Sequence, residues 1–211
     1  MIRDISHRTL YRYSLPVSQS LHLLHLAPRV VPNQSIQHHS LLIEPAPTSR
    51  TDFTDSFGNP VSILEIEDEH SELVIHARSS IDVRPRARLD QRATTPWDEI
   101  HRLLTVTSGD RDVDVLQFLA ASRHTQPTRE IADYAAESFS PGRPVLDAVW
   151  DLNRRLFHDF TFDPTATDVS TPISQVLKNR RGVCQDFSHL ALACLRVMRV
   201  PARYISGYML T

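Results

Sequence analysis

One cysteine occupies a position in the sequence that favours a reactive thiolate. Cys184 follows the small-residue break at Gly182 and precedes the nearly uninterrupted apolar segment Leu190–Met198. Apolar residues at helical spacing predict a helix here, and Leu192 and Leu195, which lie off the main stripe, indicate a helix buried on most sides. Free backbone N–H groups and the positive end of a helix stabilise a negative sulfur at its first residue. The spacing therefore predicts a nucleophilic thiol at the start of a central helix.

A cysteine nucleophile also needs a histidine as proton acceptor, and a carboxylate or amide that orients the histidine. His189 is the last histidine of the sequence, but it is rotated by roughly 140° from Cys184 on the same helix and cannot reach the sulfur. His158 and Asp159 could approach from outside the helix. Asp186 is expected to interact with the helix dipole or to hold a neighbouring loop. The residues alone supply no triad, so Cys184 is either a nucleophile or an inert structural cysteine.

The second cysteine is expected to be structural. Cys194 lies ten residues beyond Cys184 among leucines and alanines, and on one helix this spacing separates them by roughly 15 Å. A disulfide needs Cα atoms within about 7 Å, so two free thiols are predicted, as in a reducing compartment.

Composition narrows the class of protein. Of 211 residues, 41% are hydrophobic and 23% charged, with a formal net charge of −2. These values are typical of a globular protein and give no electrostatic reason to expect a nucleic acid or a membrane as partner. No apolar run approaches the roughly 20 residues of a membrane span, and the first residues lack the apolar core of a signal peptide. We therefore expect a cytoplasmic protein. His22 and His25 are expected on opposite faces of a strand, as are His38 and His39, so no metal site is predicted. We also expect no cofactor.

The elements that must position the cysteine fall into two kinds. Up to about residue 85 the sequence reads as strands over residues 5–13, 20–26, 35–43, 50–54, 61–66 and 72–83, and their close spacing predicts an antiparallel sandwich or curved sheet. The stretch 84–92 is basic and turn-prone and is interpreted as a solvated linker. From residue 96 the period changes to about 3.6, which predicts helices over 96–104, 113–120, 128–137, 144–157 and 173–178, with strands at 160–164 and 202–209.

These patterns predict an α+β protein in three parts. Residues 1–85 form an antiparallel β domain, residues 86–143 a linker with helices, and residues 144–211 a mainly helical core that contains Cys184.

The cysteine motif resembles a known family. The sequence RRGVCQDFSHL at 180–190, followed by VPARYISGY at 200–208, is similar to the core of the bacterial transglutaminase-like proteins. The stretch from SHRTLY at 6–11 to DSFGNPV at 55–61 resembles the β-rich region that precedes this core. The resemblance implies a cysteine-protease-like fold with Cys184 as the nucleophile, and a histidine and an aspartate on the strands that follow.

The resemblance also implies a function. We expect a thiol-dependent hydrolase or acyltransferase that acts on a peptide, protein or other amide substrate. No segment of the His-Ala-Trp or Asp-Pro-Thr type follows residue 208, so the core is predicted to be incomplete after its first strand, inactive by itself and able to self-associate through that strand. The alternative is a non-catalytic binding or scaffold module with a structural cysteine. An acyl-carrier role like that of arylamine acetyltransferases shares the chemistry, but no residue indicates a coenzyme A site.

Overall fold

The computed structural model describes residues 1–87, 89–106 and 114–209. The chain divides into two compact units, with the boundary after Ala87. The first unit contains strands alone, and the second contains the helices and a short pair of strands.

Six antiparallel strands build the first unit. They are β1 (Ile2–Val17), β2 (Ser20–Leu24), β3 (Gln34–Glu44), β4 (Ser49–Thr54), β5 (Pro60–Ile66) and β6 (His70–Val83). They form two three-stranded sheets with the orders β1-β6-β3 and β2-β5-β4. One apolar cluster takes side chains from both sheets, namely Ile43, Leu64, Ile66, Leu73 and Ile75. The predicted antiparallel arrangement is therefore confirmed.

The turn between β4 and β5 shows how sequence sets the register of a hairpin. The carboxylate of Asp55 accepts hydrogen bonds from the backbone N–H groups of Phe57 (2.9 Å) and Asn59 (2.8 Å). Gly58 takes the positive φ of 77° that this tight turn requires. The chain reversal pairs Phe53 with Val61 and places the apolar side chains of β5 on the core side of the sheet.

Helices build most of the described part of the second unit. They are α1 (Trp97–Val106), α2 (Arg129–Ala136), α3 (Val145–Asp159), α4 (Ile173–Asn179) and α5 (Cys184–Val197), with 3₁₀ turns at Gln91–Ala93 and Gln117–Leu119. Two short parallel strands, β7 (Thr161–Phe162) and β8 (Arg181–Gly182), pair with one another. β7 is shorter than the strand predicted at 160–164, and the described part of the helix predicted at 113–120 ends in a 3₁₀ turn. Val113 lies outside the described residues.

Helix α5 occupies the centre of the second unit. It contacts α2, α3 and α4, and Leu190, Ala193 and Cys194 are at most 1% exposed. Every residue of α5 after Gln185 is buried or partly buried. The prediction of a helix buried on most sides is confirmed, and so is the predicted α+β class of the fold.

The prediction of a strand at 202–209 is wrong. This segment has no regular secondary structure. A strand requires a ladder of hydrogen bonds to a neighbour, and among the described residues no strand pairs with it. Its β-branched and aromatic residues are therefore not sufficient to make a strand. Self-association through a strand edge at this position stays a prediction from sequence alone.

Candidate functional site

The structure places Cys184 at the surface end of a buried helix. Cys184 is the first residue of α5 and is exposed, whereas Cys194 on the same helix is fully buried. Val183 precedes the helix in an extended conformation, with φ of −113° and ψ of 174°. Both cysteines are free. Cys184 is therefore accessible to solvent, whereas Cys194, which was expected to be structural, lies in the core.

A buried carboxylate holds the turn that carries Cys184. Asp186 is only 7% exposed, and its Oδ2 atom accepts hydrogen bonds from the backbone N–H of Val183 (2.8 Å) and from the hydroxyl of Thr167 (2.6 Å). The first bond is the N-terminal capping contact of an acidic residue in the first helical turn. The second ties the loop between β7 and α4 to α5. Asp186 thus does what was expected of it, while Thr167, which lies in an unremarkable polar loop, was not predicted.

Gly182 is required by the close approach of this carboxylate. A Cβ atom on Gly182 would lie 2.8 Å from Oδ2 of Asp186 and 3.1 Å from its Cβ. Gly182 is also buried and belongs to β8, which pairs with β7. The backbone therefore wraps around the carboxylate immediately before Cys184.

The loop over residues 163–172 is held by local turns. Asp163 Oδ1 accepts from the backbone N–H of Thr165 (2.9 Å), and Asp168 Oδ1 accepts from that of Ser170 (2.8 Å). Arg181 forms an ion pair with Asp163 at 3.4 Å. These contacts give the loop a defined shape next to the cysteine turn.

Two family models match the sequence, and one of them includes the cysteine turn. The bacterial transglutaminase-like N-terminal region matches residues 4–82, and the transglutaminase-like superfamily core matches residues 132–211. The two matches cover the first unit and the helices around Cys184. The chain belongs to the bacterial transglutaminase-like proteins.

Mycobacterial proteins are similar in sequence to this chain over almost its full length. It is 36% identical over 210 residues to an uncharacterized protein of Mycobacterium tuberculosis, covering 98% of this chain and 65% of that protein. It is 28% identical over 205 residues to an uncharacterized protein of Mycobacterium leprae, covering 97% of this chain and 70% of that protein. The chain therefore spans just under two thirds of the length of its Mycobacterium tuberculosis relative.

A solved structure shares the fold. A crystal structure of a candidate cysteine protease from Cytophaga hutchinsonii superposes with a TM-score of 0.71 at 18% identity. The match covers 95% of this chain and 67% of that protein. The predicted cysteine-protease-like fold is thereby confirmed.

His189 of the transglutaminase-like core contacts other rings. His189 stacks on His124 with ring centroids 5.2 Å apart and contacts Tyr204 at 5.6 Å. None of the histidines described in the second unit hydrogen-bonds the Cys184 sulfur. Burial lowers the pKa of His189, and the charges of His124 and Arg196 lower it further, whereas the Asp186 carboxylate acts in the opposite direction.

Asp159, which sequence reasoning considered beside His158, belongs to a different contact set. It accepts a hydrogen bond from the Tyr134 hydroxyl at 2.9 Å and lies 3.9 Å from the Arg180 guanidinium. Burial and then this hydrogen bond raise the pKa of Tyr134 above its ordinary value. His158 is exposed at the end of α3. The structure therefore does not bring this pair to the cysteine.

Arg180 links this contact set to the cysteine turn. Its guanidinium lies over the rings of Tyr134 (4.8 Å) and Phe160 (4.9 Å), and its backbone is left-handed with φ of 56°. A non-glycine residue in this region is strained, and the ring contacts offset that strain. Arg180 ends α4 and directs the chain into β8.

Within residues 1–87, 89–106 and 114–209, no group of three His, Cys, Asp or Glu side chains could hold a metal ion. Over the same residues, no helix has the length and apolar character needed to cross a bilayer.

Gly182→Ala should destabilise the second unit by about 1–3 kcal/mol, because the new methyl group forces Asp186 off its two donors. Gly207→Ala is the matched control, since nothing lies within 4 Å of a Cβ at that position. Urea unfolding followed by tryptophan fluorescence measures this, because both tryptophans, Trp97 and Trp150, lie in the second unit. Equal midpoints for the two variants would contradict the steric argument.

The two thiols should differ strongly in reactivity towards a disulfide reagent. Burial raises the pKa of Cys194 to about 12, so at pH 8 only about one thiol in 10⁴ is ionised, and the side chain is also inaccessible. We expect one thiol per chain to react in the native protein and the second only in denaturant. Cys184→Ala should remove the fast phase. Two fast thiols in the native protein would show that α5 is not packed as described.

Acid should weaken the second unit through His189. The pKa of His189 in the folded protein lies below the ordinary value of 6.5. As the pH falls below about 7, the unfolded chain therefore binds more protons at this position than the folded chain does, and the free energy of unfolding decreases. His189→Gln should therefore show a smaller fall in melting temperature between pH 7 and pH 5 than the wild type. His158→Gln, at an exposed position, should keep the wild-type fall. The same slope in all three proteins would exclude His189 as a contributor.

Proposed function

We propose that Cys184 is the nucleophile of a thiol-dependent acyl transfer or hydrolysis reaction on peptide or other amide bonds, catalysed by the whole protein. The observation that carries this proposal is the exposure of Cys184 at the first residue of a helix whose residues after Gln185 are buried or partly buried. A structural cysteine would be expected inside the core, as Cys194 is. Membership of the transglutaminase-like proteins supports the same assignment.

The chemistry follows from the position of the sulfur. Sγ of Cys184 attacks the carbonyl carbon, and the carbonyl oxygen takes the negative charge of the tetrahedral intermediate. The backbone N–H groups of Cys184 and Gln185 belong to the first helical turn, where no intrahelical acceptor exists, and can donate to this oxygen. The carbon–nitrogen bond then breaks, the amine leaves with a proton, and a thioester remains on Cys184. Water or a second amine attacks the thioester and releases the thiol.

The proton acceptor is proposed to come from outside the described residues. No described histidine of the second unit contacts the thiol, and His189 is held by His124 and Tyr204 instead. The family resemblance implies a histidine and an aspartate on strands after the cysteine helix. The greater length of the Mycobacterium tuberculosis relative, of which this chain spans 65%, is consistent with such a source.

The absence of a histidine contact also supports an alternative function. The protein would then be a binding or scaffold module in which Cys184 does no chemistry. The two functions differ in whether Cys184 forms a covalent acyl intermediate that turns over.

In the whole protein, purified from the cells that naturally produce it, Cys184→Ala should abolish turnover of an activated acyl donor. The probe is p-nitrophenyl acetate, which needs no knowledge of the natural substrate. We expect catalytic release of p-nitrophenol and, after acid quenching, an acetyl group on the peptide that contains Cys184. Cys194→Ala is the control and should retain turnover, because Cys194 is inaccessible.

Two results would contradict the proposed catalytic role of Cys184. Undiminished turnover in Cys184→Ala would show that another group carries the acyl intermediate. Stoichiometric labelling of Cys184 without turnover in the wild type would favour the binding module.

A further inference from the structure

The Asp186 carboxylate lies at the N-terminal end of α5, in the same helical turn as Cys184. Asp186 is the third residue of the helix, and its side chain folds back to the N–H of Val183, the residue before the helix. The negative charge therefore lies at the helix N-terminus, two residues from the thiol. A carboxylate there interacts favourably with the helix dipole but opposes a second negative charge on the sulfur.

Thr167 moderates that charge. Its hydroxyl donates to Oδ2 of Asp186 at 2.6 Å, the same oxygen that accepts from Val183. A short hydrogen bond to an ionised oxygen is strong and draws negative charge towards the donor. The carboxylate is 7% exposed, so solvent replaces little of this effect. The Thr167 hydrogen bond therefore reduces the negative charge on this carboxylate oxygen.

We propose that the hydrogen bond between Thr167 and Asp186 sets the nucleophilicity of Cys184. Asp186 is a positioning residue: it fixes the turn through Val183, and its charge opposes the thiolate. Thr167 partly offsets that opposition and also fixes the loop over residues 163–172 to the cysteine turn. The significance of this control for catalysis rests on the proposed function, whereas the reactivity of the thiol is measurable without any turnover.

Loss of either partner of this bond should change thiol reactivity in opposite directions. Asp186→Asn keeps an oxygen that accepts from Val183 but removes the charge. We expect the pH midpoint of Cys184 alkylation to fall by about half to one unit, and the rate at neutral pH to rise about three- to tenfold. Thr167→Val removes the donor and leaves a fuller charge, so the midpoint should rise by a few tenths of a unit, with a rate about two- to threefold lower.

The measurement is the rate of Cys184 alkylation by iodoacetamide between pH 5.5 and 9.5, read by mass spectrometry of the peptide that contains Cys184. Thr167→Ser restores the hydroxyl and should restore the wild-type profile. Asp168→Asn removes a charge from the same loop without a hydrogen bond to α5 and should shift the midpoint much less than Asp186→Asn. In the Asp186→Asn background, Thr167→Val should have no further effect on the midpoint.

Shifts in the same direction for the two single variants would overturn the proposal, because a loosened turn would change reactivity without regard to charge. An unchanged midpoint in Asp186→Asn would overturn it as well. Failure of the proposed function is separate, since it would appear as turnover in Cys184→Ala while these alkylation profiles stayed as described.

Discussion

The burial of helix α5 constrains everything near Cys184. The helix packs against α2, α3 and α4, and its residues after Gln185 are buried or partly buried. A helix fixed on so many sides cannot adjust its direction without opening the core, so its first residue has a defined position at the surface. The same packing that stabilises the second unit thereby holds one thiol in contact with solvent and keeps the other out of it.

A buried carboxylate then completes the turn into the helix. Taking the charge of Asp186 out of water is costly unless donors compensate it, and Thr167 and Val183 provide two. This requirement reaches further along the chain, because Gly182 must leave room for the carboxylate. The loop before α4, the strand β8 and the start of α5 are thus joined at one oxygen atom. Cys184 is carried by the part of the backbone that this oxygen orients.

Much of this arrangement could be predicted from the sequence, where local patterns decide the structure. Alternation in the first unit and the change of period after residue 96 gave the α+β class, and the apolar run after Cys184 gave the buried helix. The Asp186 contact with Thr167 could not be predicted, because it joins residues 19 positions apart and the loop contains several equivalent hydroxyls. The strand expected at 202–209 failed because strand formation depends on a partner and not on composition alone.

The neighbouring arginines 180 and 181 have different roles, although they look equivalent in the motif. Arg180 combines a left-handed backbone with a guanidinium that covers two aromatic rings, whereas Arg181 pairs with an aspartate at the surface. Glycine or asparagine would suit the backbone at position 180 and lose the rings, and lysine would retain charge but lose the planar stacking. Position 181 requires neither a left-handed backbone nor a planar group that stacks on rings. Substitutions should therefore be tolerated less well at position 180 than at position 181, although the two residues are identical.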